Sequence, residues 1–273
     1  ICHHARDCEK FQTECESCFF LKSKGKDLST SVFDKKMSLY KDANITFVGC
    51  SRWLSGRAKK SYLLRGKAVL SIPNPIDTKV YHPMDQGMAR ELLGLPSGKR
   101  LLLFGALNVT DKRKGIDYLI EALRRMEKQD VELVVFGQVK DDIRGLFPVP
   151  IHSMGYLSDE SKIVALYNAV DMFITSSLEE NLPNTIMESM ACGTPCVGFE
   201  IGGIPEMIDH RVNGYVANYK DAGDLANGIQ WVLEHEDRLA LSDACVKKVQ
   251  ENYTEEVVAK QYTALYEKLL KGE

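Results

Sequence analysis

The chain has 273 residues, 44% hydrophobic and 27% charged, with a formal net charge of −3. That is an ordinary globular composition with enough length for two small domains, and it argues against a dedicated nucleic-acid binder. No apolar run approaches the roughly 20 residues of a membrane span, and the opening Ile1-Cys2-His3-His4 is too polar for a signal peptide. The first residue is not Met, which suggests a fragment or a processed chain.

Four of the eight cysteines, Cys2, Cys8, Cys15 and Cys18, fall within the first 18 residues, with His3 and His4 beside them. In a cytosolic protein such a cluster suits a closed tetrahedral zinc site, with Cys2, Cys8, Cys15 and Cys18, or three thiolates and a histidine, as the ligand set. The spacing is not that of a zinc ribbon, and packed thiols or a disulfide stay open as alternatives. Cys50, Cys192, Cys196 and Cys245 are scattered in apolar or mixed contexts, where a buried thiol is the default.

Residues 19–43 carry amphipathic helical material with Val32, Phe33, Met37 and Tyr40 on its apolar side. Asn44 to Cys50 reads as a buried strand, Ser51 to Arg65 as a helix with Ser51 at its N-cap, and Ala68 to Ile72 as a second strand. Pro73-Asn74-Pro75-Ile76-Asp77 is a stiff extended segment. The expected division is 1–76 for a first α/β domain, 77–98 for a connector with a short helix near Ala89 to Leu93, 99–253 for a second domain, and 254–273 for a last helix.

From Arg100 the order becomes regular. Strands are expected at Leu101 to Phe104, Val131 to Phe136, Ile151 to Met154, Met172 to Thr175 and Pro195 to Phe199. Helices are expected at Ile116 to Lys128, Asp159 to Asn168, Pro183 to Cys192, Asp224 to His235, Arg238 to Glu251 and Glu255 to Leu270. Strands alternating with helices of ten or more residues predict an α/β fold with a parallel sheet covered on both faces.

The stretch from Ser176 to Gly203 carries the most information. A strand, an acidic loop and a helix opened by Pro183 form a unit in which ligands lie beyond the strand's carboxyl end. Glu180 lies in the loop, and Glu188 stands roughly 7–8 Å along the helix axis from Pro183. A diphosphate on the helix's free amides would therefore have one carboxylate near its outer phosphate and the other near the ribose.

This Glu-x7-Glu pair resembles an element of the retaining nucleotide-sugar glycosyltransferases of GT-B fold, the large group that includes bacterial polysaccharide and lipopolysaccharide transferases. Glu188-Ser-Met-Ala-Cys-Gly-Thr-Pro-Cys-Val, Gly202-Gly203-Ile204-Pro205-Glu206 and Asn213-Gly214 resemble the same family in order and spacing. The resemblance implies one complete Rossmann-like domain and a partial N-terminal domain whose first part is missing. It also implies that the last helix returns to the N-terminal domain.

It implies roles as well. Gly105 follows a strand, and Arg113 and Lys114 precede a helix start, where cations and amides can meet a pyrophosphate. The family usually has an arginine directly after that first glycine; here Ala106 stands in its place and Arg113 is the expected substitute. Glu180, Lys114 and Arg113 are the expected catalytic groups. Glu188, Gly105, Asn184, Thr185, Tyr156 and Gly203 are expected around the donor, with Glu188 holding the ribose.

The expected reaction moves a sugar from a nucleotide-diphosphate sugar to a polysaccharide, lipopolysaccharide or lipid-linked saccharide. It needs no cofactor, and no Asp-x-Asp metal motif occurs in the chain. The expected partners are that donor and a saccharide or lipid-linked acceptor, with no nucleic acid. The resemblance places the enzyme in the cytoplasm, with peripheral contact at the inner face of the plasma membrane. A nucleotide-sugar-binding module without turnover and a sugar-nucleotide epimerase of GT-B fold remain open alternatives.

Overall fold

A computed structural model describes residues 8–108, 111–126, 130–138 and 144–272. Cys2, His3 and His4 lie outside the described residues. The chain divides into two compact units, Ile1–Pro73 and Asn74–Glu273. The expected connector, residues 77–98, is thus part of the second unit.

In the first unit, α1 (Leu28–Lys41) starts at a capping box. Asp27 accepts from the amides of Ser29 and Thr30, and Thr30 Oγ1 accepts from the Asp27 amide. This satisfies donors that a helix start otherwise leaves open, worth about 1 kcal/mol. The helix therefore begins later than residue 19. Strand β1 (Thr46–Gly49), helix α2 (Arg52–Lys60) and strand β2 (Ala68–Ser71) form a β-α-β unit, with β1 and β2 parallel. Ser51 caps α2, its Oγ accepting from the Leu54 amide at 2.9 Å. The helix ends at Lys60, before Arg65, and a short 3-10 turn covers Tyr62–Leu64.

In the second unit, α3 (Gln86–Leu93) precedes β3 (Arg100–Asn108), α4 (Ile116–Arg125), β4 (Val131–Gln138), β5 (Ile151–Gly155) and α5 (Glu160–Ala169). Strand β6 (Met172–Thr175), α6 (Asn184–Ala191), β7 (Cys196–Phe199), the short α7 (Ile204–Met207) and β8 (Gly214–Ala217) follow. The chain closes with α8 (Ala222–Leu233), α9 (Arg238–Asn252) and α10 (Glu255–Leu270). The order across the sheet is β5-β4-β3-β6-β7-β8, and every neighbouring pair is parallel. The strand order reverses at β3 and β6, so the loops leaving their carboxyl ends flank the crevice where doubly wound folds hold ligands.

Helix α4 shows why the layers assemble. Ile116, Leu119, Ile120 and Leu123 recur at i, i+3, i+4 and i+7, and all four are buried. They pack into one core with Leu102, Leu133, Ile174 and Val197 from the sheet. A fully buried leucine such as Leu119 contributes roughly 1.5–3 kcal/mol. Strands β6 and β7 are buried along their whole length, as a sheet covered on both faces requires.

Candidate nucleotide-sugar site

The site begins with the loop from Ser176 to Pro183, which leaves β6 at the crevice. Backbone bonds fix both of its sides. On one side the Leu178 amide donates to the Arg113 carbonyl at 2.7 Å, and Ser176 Oγ donates to the Lys114 carbonyl at 3.0 Å. On the other the Gly203 amide donates to the Asn181 carbonyl at 2.5 Å. The Tyr219 hydroxyl adds a bond to the Leu178 carbonyl at 3.1 Å.

Two glycines make these approaches possible. Gly115 has φ +65, and a Cβ there would fall 1.9 Å from the Ser176 carbonyl oxygen. Gly202 has φ +59, and a Cβ there would fall 2.1 Å from the Glu180 carbonyl oxygen. Both positions require a left-handed backbone and an absent side chain.

The product of this clamping is an ion pair: Lys114 Nζ lies 2.5 Å from Glu180 Oε1. Both groups are partly shielded, Glu180 more so than Lys114. Beyond them α6 begins. Its N-cap is Pro183, one position earlier than a first helical residue, and no side chain caps the helix. The amides of Asn184 and Thr185 therefore open a helix end that favours an anion. Asn184 is exposed and Thr185 half-buried.

Glu188 lies further along α6 and is mostly buried. Its Oε2 accepts from the Tyr167 hydroxyl at 2.8 Å. Burial pushes its pKa above the ordinary carboxylate value; the Tyr167 bond opposes that rise and the nearby Glu160 charge adds to it. Burial raises the Tyr81 phenol as well, and the negative charges of Glu188 and Glu160 push in the same direction.

The other expected residues divide. The Arg113 guanidinium is two-thirds exposed and is engaged by Asp111, with Nη2 2.6 Å from Oδ2. Asp111 is held below its usual range by those bonds. What Arg113 lends to the clamp is its backbone carbonyl. Gly105 is inside β3, which runs on to Asn108, and does not follow the strand. A Cβ there would fall 1.8 Å from the Phe136 ring, so its missing side chain is accounted for by packing. Tyr156 is exposed, directly after Gly155 at φ +63. Gly203 spends its amide on the loop. Among the described residues no three His, Cys, Asp or Glu side chains converge as a metal site. Tyr167, Ser176 and Tyr219 were not foreseen; Tyr167 lies within a helix buried along most of its length, where no motif marks it.

The pattern of the family described as "Glycosyl transferases group 1" matches residues 98–235, which include Lys114, Tyr167, Glu180 and Glu188. The chain belongs to this family. As a group 1 glycosyltransferase it is 24% identical over 213 residues to the N-acetyl-alpha-D-glucosaminyl L-malate synthase of Bacillus anthracis, covering 76% of this chain and 55% of that relative. It is 33% identical over 118 residues to the N,N'-diacetylbacillosaminyl-diphospho-undecaprenol alpha-1,3-N-acetylgalactosaminyltransferase of Campylobacter jejuni, covering 43% of this chain and 31% of that one. The chain thus spans about half the length of the curated relatives it matches, or less.

Solved structures agree on the fold. A glycosyltransferase from Rickettsia africae superposes with a TM-score of 0.75 at 20% identity, covering 88% of this chain and 68% of its own. Anabaena HepE, solved in complex with UDP and glucose, gives 0.69 at 18% identity, covering 86% and 67%. The architecture of this group 1 glycosyltransferase is α/β, Rossmann-like and of GT-B type.

Proposed function

We propose that this chain is the donor-binding part of a retaining glycosyltransferase that takes a sugar from a nucleotide-diphosphate sugar. The observation that carries the reading is the Lys114–Glu180 pair, 2.5 Å apart and clamped beside the uncapped start of α6. A pyrophosphate on the Asn184 and Thr185 amides would draw on Lys114 for neutralisation, with the Arg113 guanidinium, engaged by Asp111, contributing less. Breaking the sugar–phosphate bond loads negative charge on the leaving diphosphate, and preorganised donors act most strongly on charge that develops in the transition state. These groups offset that charge without calling on a metal.

Glu188 would accept from the ribose hydroxyls. Glu180, released from Lys114 when the diphosphate takes the ammonium, would orient the hexose and stabilise positive charge at its anomeric carbon. The acceptor oxygen bonds to that carbon as the diphosphate leaves from the same face, and the acceptor proton passes to a diphosphate oxygen. This front-face substitution retains the anomeric configuration. The acceptor in this reading is a saccharide or a lipid-linked saccharide; the Campylobacter relative, named for a diphospho-undecaprenol substrate, supports the lipid-linked form.

Titration calorimetry with UDP, GDP, ADP and their hexoses tests the donor reading. Binding of one nucleoside diphosphate in the micromolar range, weakened by Lys114→Ala, is expected. No binding by any of them overturns the reading. Proton NMR of the transfer product tests retention: an anomer opposite to the donor's overturns it. Binding without transfer or hydrolysis would favour a module that holds the donor without turnover.

A further inference from the structure

We infer that Tyr167 is the positioning residue for Glu188, holding its carboxylate ionised and in place for the ribose hydroxyls of the nucleotide. This rests on the donor reading above. The Tyr167 ring is buried to within 1% and is wedged edge-on between Phe136 and Phe173, with centroids 6.3 and 6.0 Å away. Phe136 in turn fills the space opened by the absent Cβ of Gly105. Thr194 Oγ1 donates to the Tyr167 carbonyl at 2.8 Å. The phenol therefore reaches α6 from an immobile base, and its hydroxyl donates to Glu188 Oε2 at 2.8 Å.

The surroundings explain why Glu188 needs such a partner. Helix α5 brings Glu160 as well as Tyr167 towards it. The segment before α3 brings Tyr81, which is hydrogen-bonded to Glu160, and Cys192 follows at the end of α6. Burial and the Glu160 charge both favour a protonated Glu188, and the donated phenol proton is the group that opposes them. A hydrogen bond to a charged carboxylate is roughly twice as strong as a neutral one. A protonated Glu188 would lose acceptor capacity for two vicinal hydroxyls. Tyr167 thus stabilises the charged form by a contact that never touches the ligand.

The sign follows directly. Removing the hydroxyl raises the Glu188 pKa further, so nucleotide affinity is lost at a higher pH than in the wild type. In Tyr167→Phe we expect UDP, GDP or ADP, whichever binds the wild type, to bind more weakly below the variant's Glu188 midpoint, by up to about tenfold for a midpoint shift of one pKa unit. Affinity should recover as the pH rises above that midpoint, with KM for the donor raised below it and kcat at saturating donor within twofold. The Glu188 carboxyl, followed by carbon NMR and assigned through Glu188→Gln, should titrate about one pH unit higher. Adding Tyr167→Phe to Glu188→Gln should cost no further affinity, because the phenol acts through the carboxylate charge. An unchanged Glu188 midpoint with intact nucleotide binding overturns the inference and keeps the donor reading; so does an affinity loss equal at every pH. A shifted midpoint in a chain whose wild type binds no nucleoside diphosphate overturns the donor reading and keeps the Tyr167–Glu188 coupling.

Discussion

The position a Cβ would take on Gly202 lies 2.1 Å from the carbonyl oxygen of Glu180, closer than any real contact. The glycine turn after β7 is therefore a support for the acidic loop after β6. The next residue, Gly203, bonds Asn181 in the same loop, so the two neighbouring loops are tied together on one side of the crevice. Gly202→Ala should push the loop away and part Glu180 from Lys114. Strain at φ +59 adds about 1 kcal/mol or more to the clash. We expect transfer to fall at least tenfold, with a lower melting temperature. Steady-state kinetics beside a thermal melt would check this; unchanged turnover in the variant would mean that the turn does not support Glu180.

Lys114 and Arg113 are adjacent, yet the structure gives them different duties. Lys114 faces Glu180, whereas the Arg113 guanidinium faces Asp111 and is largely exposed. Lys114→Ala should therefore lower kcat/KM by about a hundredfold, the scale on which one preorganised charge donor acts. Arg113→Ala should cost less than tenfold, since the backbone carbonyl that fixes Leu178 survives the substitution. Donor kinetics on the two variants decide the order. Equal losses would show that a bound diphosphate draws Arg113 away from Asp111.

How much of this could be read in the residues alone depends on what holds each part. The Rossmann-like order followed from periodicity, because an amphipathic stripe such as Ile116-Leu119-Ile120-Leu123 is a local signal. The resemblance pointed to Lys114, Glu180 and Glu188 one by one, whereas the Lys114–Glu180 contact joins residues 66 positions apart and is visible only in the structure. Strand β8 was not expected as a strand: Gly214 to Ala217 is only four residues long and starts on a glycine. Gly105 was misread because nothing local distinguishes a glycine that makes room for a ligand from one that makes room for Phe136. Tyr167 escaped for the same reason, since the bond to Glu188 joins residues 21 positions apart.

The buried cysteines give a prediction in pH. Burial pushes the Cys192 and Cys196 thiols up to about 12, and Cys245 well above its ordinary value. The thiolate is the reactive form, so at pH 8 roughly one molecule in ten thousand carries it at Cys192 or Cys196. Native protein treated with iodoacetamide at pH 8 should stay unlabelled at these three positions, while the half-buried Cys18 is labelled. Peptide mass spectrometry reads the sites directly. In denaturant all of them should label within the same time. Rapid native labelling of Cys192 would mean that the end of α6 opens to solvent.

Asp171 offers a test of stability apart from chemistry. It stands just before β6, with its side chain 2% exposed, and accepts from three groups at once. Arg90 Nη2 lies 3.1 Å away, the Leu101 amide 2.7 Å and Arg238 Nη2 2.7 Å, tying α3, β3 and α9 to one carboxylate. Arg90 is itself buried and also donates to the carbonyls of Ala169, Ser97 and Lys99. Asp171→Ala would leave that guanidinium charged, desolvated and without its counter-ion, which costs about 3–5 kcal/mol. The cluster is at the amino ends of β3 and β6, whereas the site lies at their carboxyl ends. Urea unfolding should therefore show a much lower midpoint, while the folded fraction binds nucleoside diphosphate with wild-type affinity. A loss under about 1 kcal/mol would show that solvent reaches Arg90 in place of the carboxylate; a loss of affinity in the folded fraction would show that the two ends of the sheet are coupled.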